Sequence, residues 1–416
     1  MVKPKTDAHK KAGGKKRKIG GQFGHKKYER MPFPPEQIDQ IIEVTLDACS
    51  ECGGRLDECE EVSVKQQIEL VEKPFIVKEY RRHTYACPGC QTKHAAPMPQ
   101  EAGSGLFSTG LIVLAAYLKG RCHVSFRAMK AFFLDVLGIK VSGGFLAKQV
   151  KRAGQALGRT QGKLVGMLKG ERHLHIDESG WKENGRKRRI WAFRAERYAV
   201  FIIRDSRGEG VLEEILGKEY TGIISCDFYS TYRKFGRVTG AMLQFCWAHF
   251  IREVLFLLKL EDAGVRRYGR RLIKQIREMF ETIHRKEGMK RGEWKERMRW
   301  HRRRIVKRAM GTVPEQDEAR LTAKRMREWE EEYFRFIDEG IEATNNPAEL
   351  TIRQSILDRI ITQGSRGTVG NEWHERFWSV FTTCGLQNTS VMKYLKDCLS
   401  AYFDMGPYPN LVNTAV

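Results

Sequence analysis

The sequence predicts a multidomain α/β protein, on three observations. Strand-like apolar runs cluster between residues 172 and 250, segments of helical periodicity lie on both sides of them, and two Cys-x-x-Cys pairs flank a short β-rich stretch nearer the start. A mixed sheet covered by helices and broken by a helical insertion accounts for the first two, and a small zinc-ribbon-like module for the third.

The elements follow in order. Residues 1–35 are dominated by Lys, Arg and Gly, as in Lys15-Lys16-Arg17-Lys18, and lack apolar periodicity, so they form a basic arm expected to stay disordered until it meets phosphate. Residues 36–100 alternate apolar and polar at Val62–Val71 and Phe75–Ala86, the pattern of a small β-rich module. Residues 101–170 carry apolar residues three and four apart, at Leu106–Leu118, Ser125–Leu137 and, more loosely, Gly144–Leu168, which predicts a helical linker domain. Residues 171–250 read as a strand at His173–Asp177, a hairpin of Arg189–Arg194 and Ala199–Arg204 turning at Glu196-Arg197, a helix at Glu209–Leu216, a buried strand at Gly222–Cys226 and another at Ala241–Cys246. Three strands, a helix, a strand, a short helix and a strand is the order of a ribonuclease H-like core, of which this would be the first part. Residues 251–343 are helical and strongly basic, an insertion splitting that core. Residues 344–405 complete the core with helices interrupted at Gln363-Gly364-Ser365-Arg366-Gly367, and 406–416 form a tail.

Composition narrows the function. In 416 residues, 74 Lys and Arg face 51 Asp and Glu, a formal charge of +23 that suits a polyanionic partner, nucleic acid first. No run approaches the roughly twenty uncharged apolar residues of a membrane span, and the opening Met1-Val2-Lys3-Pro4-Lys5 lacks the apolar segment of a secretory signal. A cytoplasmic protein without a membrane partner is expected. Ten cysteines in a large charged chain with two tight pairs point to metal rather than cystine.

Three distant acids are the candidate catalytic residues. Asp177 follows the apolar run His173-Leu174-His175-Ile176 and precedes Glu178-Ser179-Gly180, which reads as a turn; a strand-end carboxylate and a turn-initiating Asp both fit. Glu178 itself reads as a turn residue rather than an auxiliary ligand. Asp227 repeats the setting after Gly222-Ile223-Ile224-Ser225-Cys226. Glu349, in Asn346-Pro347-Ala348-Glu349, fits a helix capping box equally well. Against capping stand Arg353 one turn on and the preceding Thr344-Asn345, polar groups a phosphate-handling surface would use. Together the acids would hold two Mg²⁺ (or Mn²⁺) ions roughly 3.5–4 Å apart, the arrangement that cuts and joins phosphodiesters.

Cys49, Cys52, Cys87 and Cys90 form two knuckles suited to a structural Zn²⁺. Cys246-Trp247-Ala248-His249 with Arg252 reads first as a packing Trp beside a buried His, since one Cys-x-x-His pair lacks two ligands; its place after the Asp227 strand keeps His249 and Arg252 as candidate substrate contacts, with Arg353.

Several motifs then stand in a consistent order: Gly20-Gly21-Gln22-Phe23-Gly24-His25-Lys26, the paired cysteines with Tyr85-Ala86 ahead of the second, Asp177-Glu178-Ser179-Gly180-Trp181, Cys246-Trp247-Ala248-His249-Phe250-Ile251-Arg252, Asn345-Asn346-Pro347-Ala348-Glu349 with Arg353, and Gly364-Ser365-Arg366. In these the chain resembles transposases of the insertion-sequence 66 class over nearly its whole length. The resemblance implies a ribonuclease H-like core with an Asp, Asp, Glu triad matched by Asp177, Asp227 and Glu349, a zinc-finger DNA-binding module before it, and cleavage and rejoining of element ends. It also implies DNA terminal repeats and target as partners, a homo-oligomer on DNA, and accessory proteins of the same element. The chain departs in having Cys226-Asp227-Phe228-Tyr229 where the family usually has Ser-Asp-Gly-Tyr, and in lacking a leucine-zipper-like segment before the Gly-Gly-Gln motif. The alternatives to a DNA transposase are a derived DNA-binding protein without activity and a structure-specific nuclease on the same core.

Overall fold

The computed structural model describes residues 32–42, 44, 48, 51–55, 64–68, 71, 73–86, 88, 92–99 and 105–412. The basic arm up to residue 31 and Cys49, Cys87 and Cys90 lie outside them. The chain divides into two units, Met1–Ile76 and Val77–Val416. In the first, a 3₁₀ turn spans Pro35–Gln37, and Phe33 and Gln66 exchange two hydrogen bonds, Phe33 N–H to Gln66 Oε1 at 2.7 Å and Gln66 Nε2 to the Phe33 carbonyl at 3.0 Å. Of the expected strands at 62–71 and 75–86, the described residues form a strand only at Thr84–Ala86.

The second unit opens with an antiparallel pair, β1 (Thr84–Ala86) and β2 (Lys93–Ala95). Helices α1 (Thr109–Gly120), α2 (Phe126–Asp135) and α3 (Gly143–Met167) follow. Ser125 and Ser142 cap α2 and α3 by accepting from the N–H groups of Ala128 and Phe145, which fixes where those periodic segments begin.

The central sheet comprises β3 (His173–Glu183), β4 (Arg186–Arg194), β5 (Ala199–Arg204), β6 (Ile223–Cys226) and β7 (Met242–Phe245), with α4 (Glu209–Leu216) and α5 (Ser230–Thr239) as crossovers. Its order is β5-β4-β3-β6-β7; β3, β4 and β5 pair antiparallel, and β3-β6 and β6-β7 parallel. Both faces are covered, so alternate residues enter different cores. Leu174, Ile176, Trp191, Phe193, Val200 and Ile202 join α4, α5 and the later basic helices on one side. Trp181, Ile190, Ala192, Phe201 and Ile203 meet the first three helices and the C-terminal ones on the other. This explains why β5 reads as an unbroken apolar run.

From β7 the chain enters α6 (Trp247–Leu257), α7 (Ala263–His284), α8 (Arg291–Met310), α9 (Asp317–Glu328), α10 (Glu330–Phe334) and α11 (Phe336–Glu339), and then α12 (Asn346–Thr362), α13 (Thr368–Leu386) and α14 (Val391–Phe403). Strand β5 is a sheet edge, and α13 supplies its missing partners. The N–H groups of Ala199, Phe201 and Ile203 donate to Thr383 Oγ1, Ser379 Oγ and Glu375 Oε1, acceptors four residues apart on one helix face opposite donors two apart on a strand. Asp358 on α12 is fully buried and accepts from Trp378 Nε1 at 3.2 Å, with His123 Nδ1 at 3.1 Å and His374 Nδ1 at 2.8 Å. The tail is less featureless than its composition suggests, since Tyr394 donates to the Pro409 carbonyl and Lys163 to Asn410.

One expectation is corrected. β3 does not end at Asp177, nor do Glu178-Ser179-Gly180 turn; the strand runs on to Glu183, and the turn is Asn184-Gly185, both at positive φ, the two-residue hairpin those residues favour. Glu178 sits in the strand with its side chain fully buried, held by Arg207 and by the Tyr232 hydroxyl. These partners supply the neutralisation a buried strand carboxylate requires.

Candidate active site

Asp177 is mid-strand in sequence but at an end in space. Parallel pairing between β3 and β6 stops at His175 and Ser225, and β6 ends at Cys226, so Asp177 and Asp227 lie where neighbouring strands part. One oxygen of each is used locally: Asp177 Oδ1 accepts from the Glu178 N–H and Asp227 Oδ1 from the Tyr229 N–H, both at 2.9 Å. Arg207 Nη2 stands 3.7 Å from Asp227 Oδ2.

Glu349 comes from α12, and the capping-box alternative fails. The N-cap is Asn345, no side chain caps the helix, and the Glu349 N–H is bonded to the Asn345 carbonyl in the ordinary helical way. Glu349 Oε1 is instead buried without a hydrogen bond, 3.6 Å from His249 Nδ1, which is orphaned too, and 3.5 Å from Arg252 Nη2. The three acids are brought into electrostatic contact: burial foremost, then the Glu178 charge, and further the Asp227 and Glu349 charges push the Asp177 carboxyl up to about 7. His249 is lowered by burial and by Arg252. Arg353 is exposed on α12.

Sequence reasoning missed the residue that ties these elements together. Asn345 is 1% exposed. Its Nδ2 donates to the Ile176 carbonyl at 2.8 Å, its Oδ1 lies 3.0 Å from His175 Nδ1, and its N–H donates to Cys246 Sγ at 3.1 Å. Because Nδ2 donates, Oδ1 accepts, and His175 carries its proton on Nδ1. Asn345 thus joins β3 beside Asp177, the start of α6 beside His249, and the start of α12 four residues before Glu349. The expected phosphate-handling Asn is a buried clasp.

Two donor sets share Glu349. Among the described residues, Cys246, His249 and Glu349 present ligand atoms within 4.8 Å of one another. Burial, however, pushes the Cys246 thiol up, and its sulfur already accepts backbone N–H groups, whereas metal binding needs thiolate. Asp177, Asp227 and Glu349 offer the oxygen donors that a hard divalent cation takes, but among the described residues their ligand atoms do not all lie within 4.8 Å of one another. Trp247 beside Cys246 is the expected packing residue: fully buried, with Nε1 donating to the Tyr333 carbonyl at 2.5 Å. Cys52 is exposed and not disulfide-bonded; its three companions lie outside the described residues.

A family profile described as transposase IS66 family matches residues 104–372, more than half of the chain and all of the sheet. The chain belongs to this family. The zinc-finger binding domain of transposase IS66 matches residues 47–91, a span containing all four paired cysteines, which supports a structural zinc. The chain is also similar to an uncharacterized protein, y4hP, of Sinorhizobium fredii (strain NBRC 101917 / NGR234), 23% identical over 431 residues, covering 92% of this chain and 75% of the relative. Membership supports a transposase role and DNA binding. Among the described residues no helix is long and apolar enough to cross a membrane.

Proposed function

We propose that this transposase cleaves the ends of its insertion element and joins them to target DNA by two-metal phosphoryl transfer, with Asp177, Asp227 and Glu349 as metal-holding residues on a ribonuclease H-like core. The sheet order β5-β4-β3-β6-β7, three strands antiparallel and two parallel, supports the core. The mutual proximity of the three carboxylates carries the proposal: after burial and the Glu178 charge, the Asp227 and Glu349 charges add to the rise of the Asp177 carboxyl to about 7, and the buried Glu349 Oε1 makes no hydrogen bond.

When bound, Mg²⁺ or Mn²⁺ at this site supplies charge neutralisation at phosphate oxygens and an activated water. The protein's own part is positional. Asp177 would have to give up its proton to hold a cation, and Asp227, whose Oδ1 is held by the Tyr229 N–H, would offer Oδ2, which lies 3.7 Å from Arg207 Nη2. Glu178 anchors Arg207 next to Asp227. His249 and Arg252, beside Glu349, and Arg353 in the next turn are positioned to take non-bridging oxygens. Cys49, Cys52, Cys87 and Cys90 would hold Zn²⁺ in the DNA-binding module, and the protein would act as an oligomer on its terminal repeats, in the cytoplasm at the nucleoid, with accessory proteins of the element where needed.

The test uses duplexes carrying the inverted repeats that flank the gene. With Mg²⁺ the protein should release a 3′ hydroxyl and form joined products, while Asp227→Asn should bind the duplex and cut nothing. Cleavage retained in Asp227→Asn removes the assignment; cutting without joining reduces the activity to that of a nuclease.

A further inference from the structure

Near Asp227, but lined by none of the three acids, a groove of about 710 Å³ opens between the start of α4 and the length of α5. Four cations line it, Arg207, Arg233, Lys234 and Arg237, against one carboxylate, Glu209. Lys234 pairs with Glu209, and Arg207 with Glu178. Arg233 and Arg237, four residues apart on one face of α5, make no ion pair among the described residues.

These two guanidiniums are held in place by aromatic rings. Arg233 lies 4.3 Å from the Phe228 ring centre and 5.6 Å from that of Trp329, and Arg237 lies 5.5 Å from Trp329. Phe228 is anchored in turn, with Phe245 at 4.9 Å and Trp329 at 5.9 Å. Phe228 is the residue that departs from the family's usual Gly after the second acid, and here it builds the floor under Arg233. Arg325, paired with Glu253, stands 4.0 Å from the same ring. Burial, then Arg237 and Arg325, lower the Arg233 guanidinium against an opposing pull from Glu328, with which it makes no ion pair, and its Nε is buried without a hydrogen bond. Like charges one helical turn apart repel, and fixed cations lacking carboxylate partners are what an incoming anion relieves. The groove borders the acidic centre, because Arg207 and Tyr229 line it and both contact Asp227.

We infer that this groove holds the sugar-phosphate backbone of the DNA strand on which the acids act, Arg233 and Arg237 each engaging a phosphate. The inference rests on the phosphoryl-transfer reading above and names the path by which the strand reaches Asp227. Contacts of this kind set position and register rather than sequence preference.

The test measures binding of the full-length protein to a fluorescent random-sequence duplex in EDTA, so that cleavage plays no part, over a range of salt. Each lost phosphate contact lowers the slope of log K against log salt by about 0.9, so Arg233→Gln with Arg237→Gln should lower it by about 1.8. Arg233→Lys with Arg237→Lys should restore the slope. Should the double Gln variant not fold, Arg237→Gln alone, at an exposed position, should lower the slope by about 0.9. An unchanged slope in a folded variant overturns the inference, as does loss of inorganic phosphate binding with duplex affinity intact, which would make the groove a small-anion site. The catalytic reading is judged separately, by cleavage in Asp227→Asn.

Discussion

Asn345→Ala is the sharpest perturbation of the clasp that joins the elements bearing Asp177, His249 and Glu349. The substitution keeps the Asn345 N–H bond to Cys246 and removes two side-chain bonds, leaving the Ile176 carbonyl and His175 Nδ1 without partners in a site that is 1% exposed. His175 cannot escape by charging, because burial first and the neighbouring His173 next push it down to about 3. Two buried orphans at roughly 1–3 kcal/mol each predict a loss of about 2–6 kcal/mol. Urea denaturation followed by tryptophan fluorescence should show the midpoint fall with little change in slope, since buried Trp247 lies beside the clasp. At temperatures where the variant is folded, cleavage should still fall, because the start of α12 is no longer tied to β3. A loss below about 1 kcal/mol would refute the reasoning, since it would mean that neither orphan pays a desolvation cost.

Other expectations follow from single features. The Asp177 carboxyl is raised to about 7, so proton and metal compete: Mn²⁺ affinity should climb as pH rises toward 7 and level off above it, and Asp177→Asn should abolish that dependence in calorimetry. The sign for metal-free stability is opposite, since an acid raised from 3.8 weakens the fold as pH rises from there through 7; pH-dependent melts check it. Gly364→Ala should destabilise by about 1–3 kcal/mol from backbone strain alone, because Gly364 has φ +92° and an added Cβ would collide with the Lys182 carbonyl; thermal melting measures it. Cys52→Ser should abolish zinc binding, measured by elemental analysis, while the sheet domain melts as in the parent.

Much of the sheet was legible because its signals are local. The β4-β5 hairpin, the α4 crossover and the apolar runs of β6 and β7 carry their own periodicity and turn residues. The end of β3 was misread although Asn184-Gly185 was in view, because Glu178 looks like a turn residue until Arg207 and Tyr232, 29 and 54 residues on, are known to neutralise it. The three acids could be nominated but not assembled, since Asn345, which ties the elements of Asp177 and Glu349 together, bonds to residues about 170 positions away. The acceptors on α13 that complete the edge of β5, and the Arg233–Arg237 groove, exist only once distant segments are docked. Short-range patterns name elements, while partners for buried polar groups depend on tertiary structure.

The central claim is that Asp177, Asp227 and Glu349 form one cation-holding centre. Calorimetric titration of the full chain with Mn²⁺, in the parent and in Asp177→Asn, Asp227→Asn and Glu349→Gln, tests it most directly. The account predicts saturable binding in the parent that each single substitution weakens at least about tenfold in protein that remains folded by melting. Binding that survives all three substitutions unchanged, or that responds to the aspartates but not to Glu349, would contradict it.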